Sequence, residues 1–310
     1  MPDEKIRQND MQKLTRRMRE EGDTMIQTDS LSYIYGIGSG YERCALKNIN
    51  ITIQDKEFLA IVGHTGSGKS TLIRQLNALE KPTSGTVYFN GEDIHAKDYD
   101  RQKLRSRIGM VFQYAEYQLF EVSVIKDVMF GPLNQGLSEE EAEERAYEAL
   151  KLVGITDAEM DTSPFALSGG QKRRVAIAGV LAMQPEVLIL DEPAAGLDPR
   201  GRDSIFQMLR RLHKEREMTI ILVSHSMDDV AKLVERMLVM DHGRIVLDGK
   251  PKSIFAYRKE LEAIGLGIPS VTRILQRIKE SGEDIDASAV TVGDAADSIE
   301  AWYRKNRNGG

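Results

Sequence analysis

The stretch Gly63-His64-Thr65-Gly66-Ser67-Gly68-Lys69-Ser70-Thr71 constrains this chain more than any other. It fits G-x-x-x-x-G-K-[ST] without a mismatch. Phe58-Leu59-Ala60-Ile61-Val62 runs ahead of it as a buried strand, and Leu72, Ile73, Leu76 and Leu79 recur behind it at helical spacing. The order strand, loop, helix is what the chemistry needs. Glycines let backbone N–H groups turn inward around a phosphate, and a helix N-terminus adds partial positive charge there. On this pattern Lys69 reaches the β- and γ-phosphates and the Ser70 hydroxyl ligates Mg²⁺.

The chain has 310 residues, room for one large domain with an appendage or for two modest domains. Its apolar fraction of 41% and charged fraction of 29% are the proportions expected of a soluble globular protein. A net charge of −6 argues against a general nucleic-acid binder, whose affinity rests on neutralising phosphates. The single cysteine, Cys44, cannot form an internal disulfide, and no Cys/His cluster has zinc spacing, so a reduced, cytosolic residue is expected. The charged N-terminus is not followed by the apolar run of a secretory signal. No apolar run approaches the ~20 residues of a membrane span, so a membrane role has to be played through a partner.

Taken in order, residues 1–24 form a charged N-terminal extension. Short alternating segments follow through Ile26, Leu31, Tyr33 and Tyr35, and Ile49, Ile51 and Ile53 alternate as a half-buried antiparallel strand. Thr86 to Phe89 with Asn90-Gly91 predicts a strand and a tight turn. From Gln113 a mainly helical texture begins. Ser138 to Glu141 is a capping box, Ala142, Ala146, Ala149, Leu150 and Val153 form one face, and Gly154 closes the helix. Val187-Leu188-Ile189-Leu190 and Ile220-Ile221-Leu222-Val223 are unalternating runs among helices, the pattern of a parallel sheet covered on both faces. They end in Asp191-Glu192 and Ser224-His225, and ligands bind such sheets at the carboxyl ends of the strands. After a hairpin signal at Asp241-His242-Gly243-Arg244, the nucleotide-binding unit ends near Ile254. An amphipathic helix through Val271, Ile274, Leu275 and Ile278 and a helix around Ala295 to Tyr303 follow.

Two further motifs join the loop. At the end of its strand Asp191 is placed to hold Mg²⁺ and Glu192 to polarise an attacking water. Leu167-Ser168-Gly169-Gly170-Gln171 lacks a lysine but offers a hydroxyl and backbone N–H groups at a helix start, a second anion site. One chain does not need two γ-phosphate sites. The economical explanation is a head-to-tail pair, in which this segment covers the nucleotide held by a second protomer.

With these residues in order, the sequence resembles the ATP-binding cassette family over about 25–255. Gly63 to Thr71 match its Walker A loop, Gln113 the Q-loop, Leu167 to Gln171 the signature, and Val187 to Glu192 the Walker B strand with its catalytic acid. Ala195-Gly196-Leu197-Asp198 match the D-loop and His225 the switch histidine, while Tyr35 looks like the aromatic that stacks on adenine, with Tyr33 as second choice. The resemblance implies an α/β P-loop NTPase fold of the ABC type: a RecA-like parallel sheet core, an antiparallel β subdomain, a helical subdomain at about 114–170, and a small helical appendage over 256–310 that helps dimerisation. It implies ATP and Mg²⁺ as cofactors, with Ser70, Gln113 and Asp191 toward the metal and Glu192, His225 and Gln113 in catalysis.

Within the family, Phe112 to Phe120 and Gly170 to Met183 are similar to the ATPases of energy-coupling factor importers. Ala115 departs from the usual proline and Ala194 from the usual threonine, and neither change removes a catalytic side chain. The resemblance implies an ATPase that powers uptake of a vitamin or another micronutrient, including cobalt or nickel. A second, distinct ABC ATPase would complete a heterodimer at the cytoplasmic face of a bacterial membrane, bound to a transmembrane coupling subunit and a substrate-binding subunit. The cluster Tyr114, Tyr117, Leu119 and Phe120 is then expected as a partly exposed groove for a helix of the membrane subunit. A conventional importer or exporter cassette shares the core motifs, and a soluble cassette protein or a degenerate scaffold are further alternatives.

Overall fold

The computed structural model describes residues 24–307. The N-terminal extension expected over residues 1–24 lies, but for Thr24, outside the described residues. The strands in chain order are β1 (Thr24–Tyr35), β2 (Arg43–Gln54), β3 (Phe58–Val62), β4 (Ser84–Phe89), β5 (Glu92–Asp93), β6 (Ile108–Val111), β7 (Val187–Asp191), β8 (Thr219–Val223), β9 (Arg236–Asp241) and β10 (Arg244–Gly249). The chain divides into two compact units. One holds the residues up to Glu57 with Ser70–Ile221, the other Phe58–Lys69 with Leu222 onward.

In the first unit, β1 and β2 are long antiparallel strands whose register pairs Thr28 with Ile51 and Leu31 with Ile49. The alternating isoleucines Ile49, Ile51 and Ile53 are all buried, as period-two patterning requires of a strand with one dry face. β4 pairs antiparallel with β1, and β5 with β4, completing the order β2-β1-β4-β5. Asn90 and Gly91, both at positive φ, make the tight turn between β4 and β5. The same unit carries β6 and β7, parallel from Ile108↔Val187 to Val111↔Leu190, with the Thr219–Ile221 part of β8 next in order beside β7.

Helices Val124–Asn134, Glu139–Leu152 and Gly169–Leu181 pack on one another. The second has the predicted capping box, with Ser138 accepting from Glu141 N and the Glu141 carboxylate accepting from Ser138 N. It buries Ala142, Ala146, Ala149 and Leu150, and Gly154 closes it at φ +77. The helix after the phosphate loop, Lys69–Leu76, stops short of the expected stripe. Ala78 turns left-handed at φ +52, Leu79 N and Glu80 N fold back onto Arg74 O, and Leu79 is exposed.

In the second unit β3 runs parallel to β9, from Leu59↔Arg236 to Val62↔Val239, and β10 returns antiparallel to β9. All five residues of β3 are buried, which accounts for its unbroken apolar sequence. Ser224 N donates to Ile61 O, so the residues just past β8 lie beside β3. Helices Ser270–Glu280 and Val292–Arg307 close a small core of Leu275, Ile285, Ala289 and Ala295, with Val271, Ile278 and Trp302 against it. The Asp228 carboxylate accepts from Ser270 N and Oγ at 2.9 and 3.0 Å and fixes the start of the first of these helices. Among the described residues, no helix is long and apolar enough to cross a membrane.

Candidate functional site

The phosphate loop opens where β3 delivers Gly63, which no other residue could replace. A Cβ there would stand 2.5 Å from Met240 O and 2.5 Å from Ser67 Oγ. Gly66 and Gly68 sit at φ +84 and +109, the backbone region that glycine alone enters without strain. Ser67 N donates to His64 O at 3.1 Å and tightens the turn. Lys69 Nζ curls back to donate to Gly63 O at 2.7 Å and His64 O at 3.1 Å. Ser67 Oγ is buried without a hydrogen-bond partner, and such an orphan in a glycine-rich loop at a helix start fits an anion-binding cradle. The His64 side chain turns away to Thr65 O and Asp241, and Thr65 is exposed at the tip.

In the first unit Ser70 Oγ donates to Asp191 Oδ2 at 3.0 Å, a contact across 121 residues of sequence. It puts a hydroxyl and a carboxylate together, the hard oxygen donors that Mg²⁺ takes alongside phosphate oxygens, so these residues fit the ion. Asp191 ends the fully buried β7, and Glu192 follows at φ +52, an uncommon conformation for a glutamate. Thr71 Oγ1 lies 3.1 Å from the Tyr35 hydroxyl, which also donates toward the Glu80 carboxylate. Tyr33 meets Tyr35 edge-on at 4.7 Å, and burial, then the Glu80 charge, push the Tyr33 hydroxyl above its usual range.

The serine-glycine-glycine segment starts helix Gly169–Leu181. Ser168 Oγ accepts from Gln171 N, and Gln171 Oε1 accepts from Ser168 N at 2.8 Å. Gln171 Nε2 also donates to Glu159, so the Gln171 side chain is committed to the cap. Hydrogen bonds from Thr156, backbone first, hold the Glu159 carboxyl below its usual range. Gly169 and Gly170 face open space, leaving the Ser168 hydroxyl and glycine backbone to meet a ligand. Asp198 caps helix Pro199–Arg216 by accepting from Gly201 N at 2.7 Å. Gln113 is exposed past the end of β6, and in the second unit His225 is exposed past the end of β8.

Sequence reasoning gave Arg173 no role, yet among the described residues it is the largest fully buried side chain. Its guanidinium forks onto the Glu116 carboxylate, with Nη2 at 2.7 Å from Oε1, and reaches Pro193 O at 2.9 Å, Ala195 O at 3.2 Å and Glu192 O at 3.4 Å. One cation thus fixes the backbone carrying Glu192 and joins it to the segment after Gln113. The one available signal was Glu116, an acid inside an aromatic run.

The aromatic cluster is exposed at Tyr114, Tyr117 and Phe120, with Tyr117 83% accessible, whereas Leu119 is buried at 8% and belongs to the floor. Beside it lies a cavity of ≈ 500 Å³ lined by Met110, Leu119, Phe120, Phe130, Val180 and Met183. Phe120 and Phe130 form a T-shaped pair at 5.2 Å, and the Asp127 carboxylate accepts from Phe120 N and Glu121 N to hold the rim.

The model of the ABC transporter family matches residues 46–195. The energy-coupling factor transporter ATP-binding protein EcfA2 of Caldanaerobacter subterraneus subsp. tengcongensis is 49% identical over 283 residues, covering 91% of this chain and 99% of that protein. EcfA2 of Clostridium acetobutylicum is 51% identical over 275 residues, 88% of this chain and 96% of its own. Among solved structures, cbiO1 from Clostridium perfringens, described as part of the ABC transporter complex cbiONQ, superposes with a TM-score of 0.70 at 42% identity, over 83% of this chain and 97% of that one. The dimeric cassette MJ0796 in a post-hydrolysis state bound to ADP and Pi gives a TM-score of 0.64 at 32% identity, over 73% of this chain and 99% of its own.

Proposed function

The chain belongs to the ATP-binding cassette family as an energy-coupling factor ATP-binding protein, and from that premise we propose how its residues share the work of hydrolysis and whom they serve. It is an ATPase whose turnover is coupled to transport through a membrane complex. The observation that carries the site reading is the Ser70–Asp191 hydrogen bond, because it sets the loop's hydroxyl against the acid at the end of β7.

The loop amides of Gly66 to Ser70 and the Lys69 ammonium bind the β- and γ-phosphates, and Lys69 exchanges its contacts with Gly63 O and His64 O for phosphate oxygens. Ser70 and Asp191, with Gln113, hold Mg²⁺; when bound, this ion neutralises charge on the phosphate oxygens. Glu192 orients the attacking water and takes its proton, and His225 donates to the γ-phosphate as charge develops. Tyr35 stacks against adenine. The Ser168 hydroxyl and the Gly169 and Gly170 backbone of a second ATPase close over the triphosphate, with Asp198 facing the pair's junction. That second ATPase is a related but distinct chain, so the working unit is a heterodimer.

The pair sits at the cytoplasmic face of the cell membrane with a coupling subunit and a substrate-binding subunit, and imports a vitamin or another micronutrient. The exposed Tyr114, Tyr117 and Phe120, of which Phe120 lines the cavity, favour this reading, since they offer an apolar seat for a partner's helix. Glu192→Gln tests the assignment in the purified complex. ATP affinity should persist, hydrolysis should fall at least about a hundredfold, the low end of what general base catalysis supplies, and closed dimers should accumulate. Unchanged hydrolysis would remove Glu192 from the role.

A further inference from the structure

The turn between β9 and β10 carries a histidine in a place that suits asparagine or glycine. His242 and Gly243 lie at φ +44 and +78, successive left-handed residues of a tight hairpin turn, and the His242 side chain is 78% exposed. The turn is tied to the phosphate loop within the second unit, because Gly243 N donates to Ser67 O at 2.9 Å. Neither His242 nor Asp241 has a part in the ATPase chemistry described above.

Three side chains converge there. Asp241 Oδ1 lies 2.9 Å from His64 Nε2 and 2.7 Å from His242 Nδ1, and the two imidazole rings stand 5.3 Å apart. The ligand atoms of all three residues fall within 4.8 Å of one another. The other ring nitrogen of His64, Nδ1, sits 2.8 Å from Thr65 O. A carbonyl oxygen only accepts, so Nδ1 carries the hydrogen. In the neutral ring Nε2 is then a bare lone pair aimed at a carboxylate oxygen. Two lone pairs at this distance repel unless positive charge lies between them, either a second ring proton or a metal ion.

The back-side bond to Thr65 O is the device that orients a metal-binding histidine and fixes its tautomer. Two imidazole nitrogens with one carboxylate suit a late first-row divalent ion, whereas Mg²⁺ prefers oxygen donors alone. We propose that this chain binds one transition-metal ion of the Zn²⁺ class through His64 Nε2, an Asp241 carboxylate oxygen and His242 Nδ1, with solvent completing the shell. The ion ties the second residue of the phosphate loop to the β9–β10 turn. The proposal stands apart from the ATPase assignment and can be tested without nucleotide.

The test is calorimetric titration of Zn²⁺ into the chelator-treated, nucleotide-free full chain, repeated with Co²⁺, whose visible absorption reports nitrogen ligation. Wild-type protein should take up one equivalent that a thousandfold excess of Mg²⁺ does not displace. His242→Asn keeps a residue suited to the left-handed turn and should melt like wild type while losing at least about tenfold in affinity, since removing a ligand costs no less than removing its supporting partner. His64→Gln should lose as much. Absence of a stoichiometric wild-type site, displacement by Mg²⁺, or wild-type affinity in either variant would overturn the proposal.

Discussion

Arg173→Met should be the most damaging single change outside the phosphate loop, and the structure sets its size. The guanidinium is wholly buried and pairs with a Glu116 side chain that is itself only 14% exposed. Its remaining donors satisfy the carbonyls of Glu192, Pro193 and Ala195. Methionine fills much of the volume but leaves Glu116 as an unpaired buried carboxylate. Breaking one side of such a pair costs about 3–5 kcal/mol. At about 2.1 cal/mol/K per residue a chain of 310 residues moves its melting temperature by about 1.5 °C for each kcal/mol, so a drop of about 5–8 °C is expected by circular dichroism. Adding Glu116→Leu removes the stranded charge, and the double variant should regain most of that loss. Its ATPase rate should not return, because nothing then holds the carbonyls on either side of Glu192. A single variant that melts within about 2 °C of wild type, or a double variant no more stable than the single, would refute the reasoning.

The remaining expectations follow from single contacts. Gly63→Ala places a Cβ 2.5 Å from Met240 O, a backbone atom that cannot rotate away, so binding of a fluorescent ATP analogue should be lost; wild-type affinity would count against the cradle. Tyr117→Ala should leave the melting temperature nearly unchanged, since the ring is 83% exposed, yet impair co-purification with the membrane subunits; normal recovery of the complex would remove Tyr117 from the docking surface. Glu159 has a folded-state pKa depressed below 4.5 by its bonds from Thr156, so its contribution is present above that pH and is lost as pH falls through the lower folded value. Glu159→Gln should therefore flatten the decline of melting temperature below pH 4.5, and an unaltered acid limb would refute this.

What was legible in the sequence divides by the range of the cause. The helix from Glu139 to Leu152 could be read to its ends because its cap, apolar face and closing glycine all lie within about four turns of one another. The β4–β5 turn and the all-buried β3 were legible for the same reason. The end of the helix after the phosphate loop was not: Ala78 adopts a left-handed conformation that alanine does not advertise, and Leu79 continued the apolar spacing although the chain had already turned. Asp198 and Gln171 matched motifs, yet both side chains also serve as helix caps, a local duty that motif matching does not separate from a ligand role.

Arg173 marks the harder boundary. An arginine on a helix ordinarily reads as a solvated residue, and only a carboxylate 57 residues earlier, brought near by the packing of the helical region, makes its burial tolerable. The Ser70–Asp191 contact spans 121 residues, yet each of its members could be singled out from the sequence, because each sits at a strand or helix end whose position is set by its own neighbouring sequence. Long separation alone therefore does not hide a site. A site is hidden when one member has no local pattern of its own, as with Arg173 and as with His242, an exposed turn residue whose meaning depends on a histidine placed by a different loop.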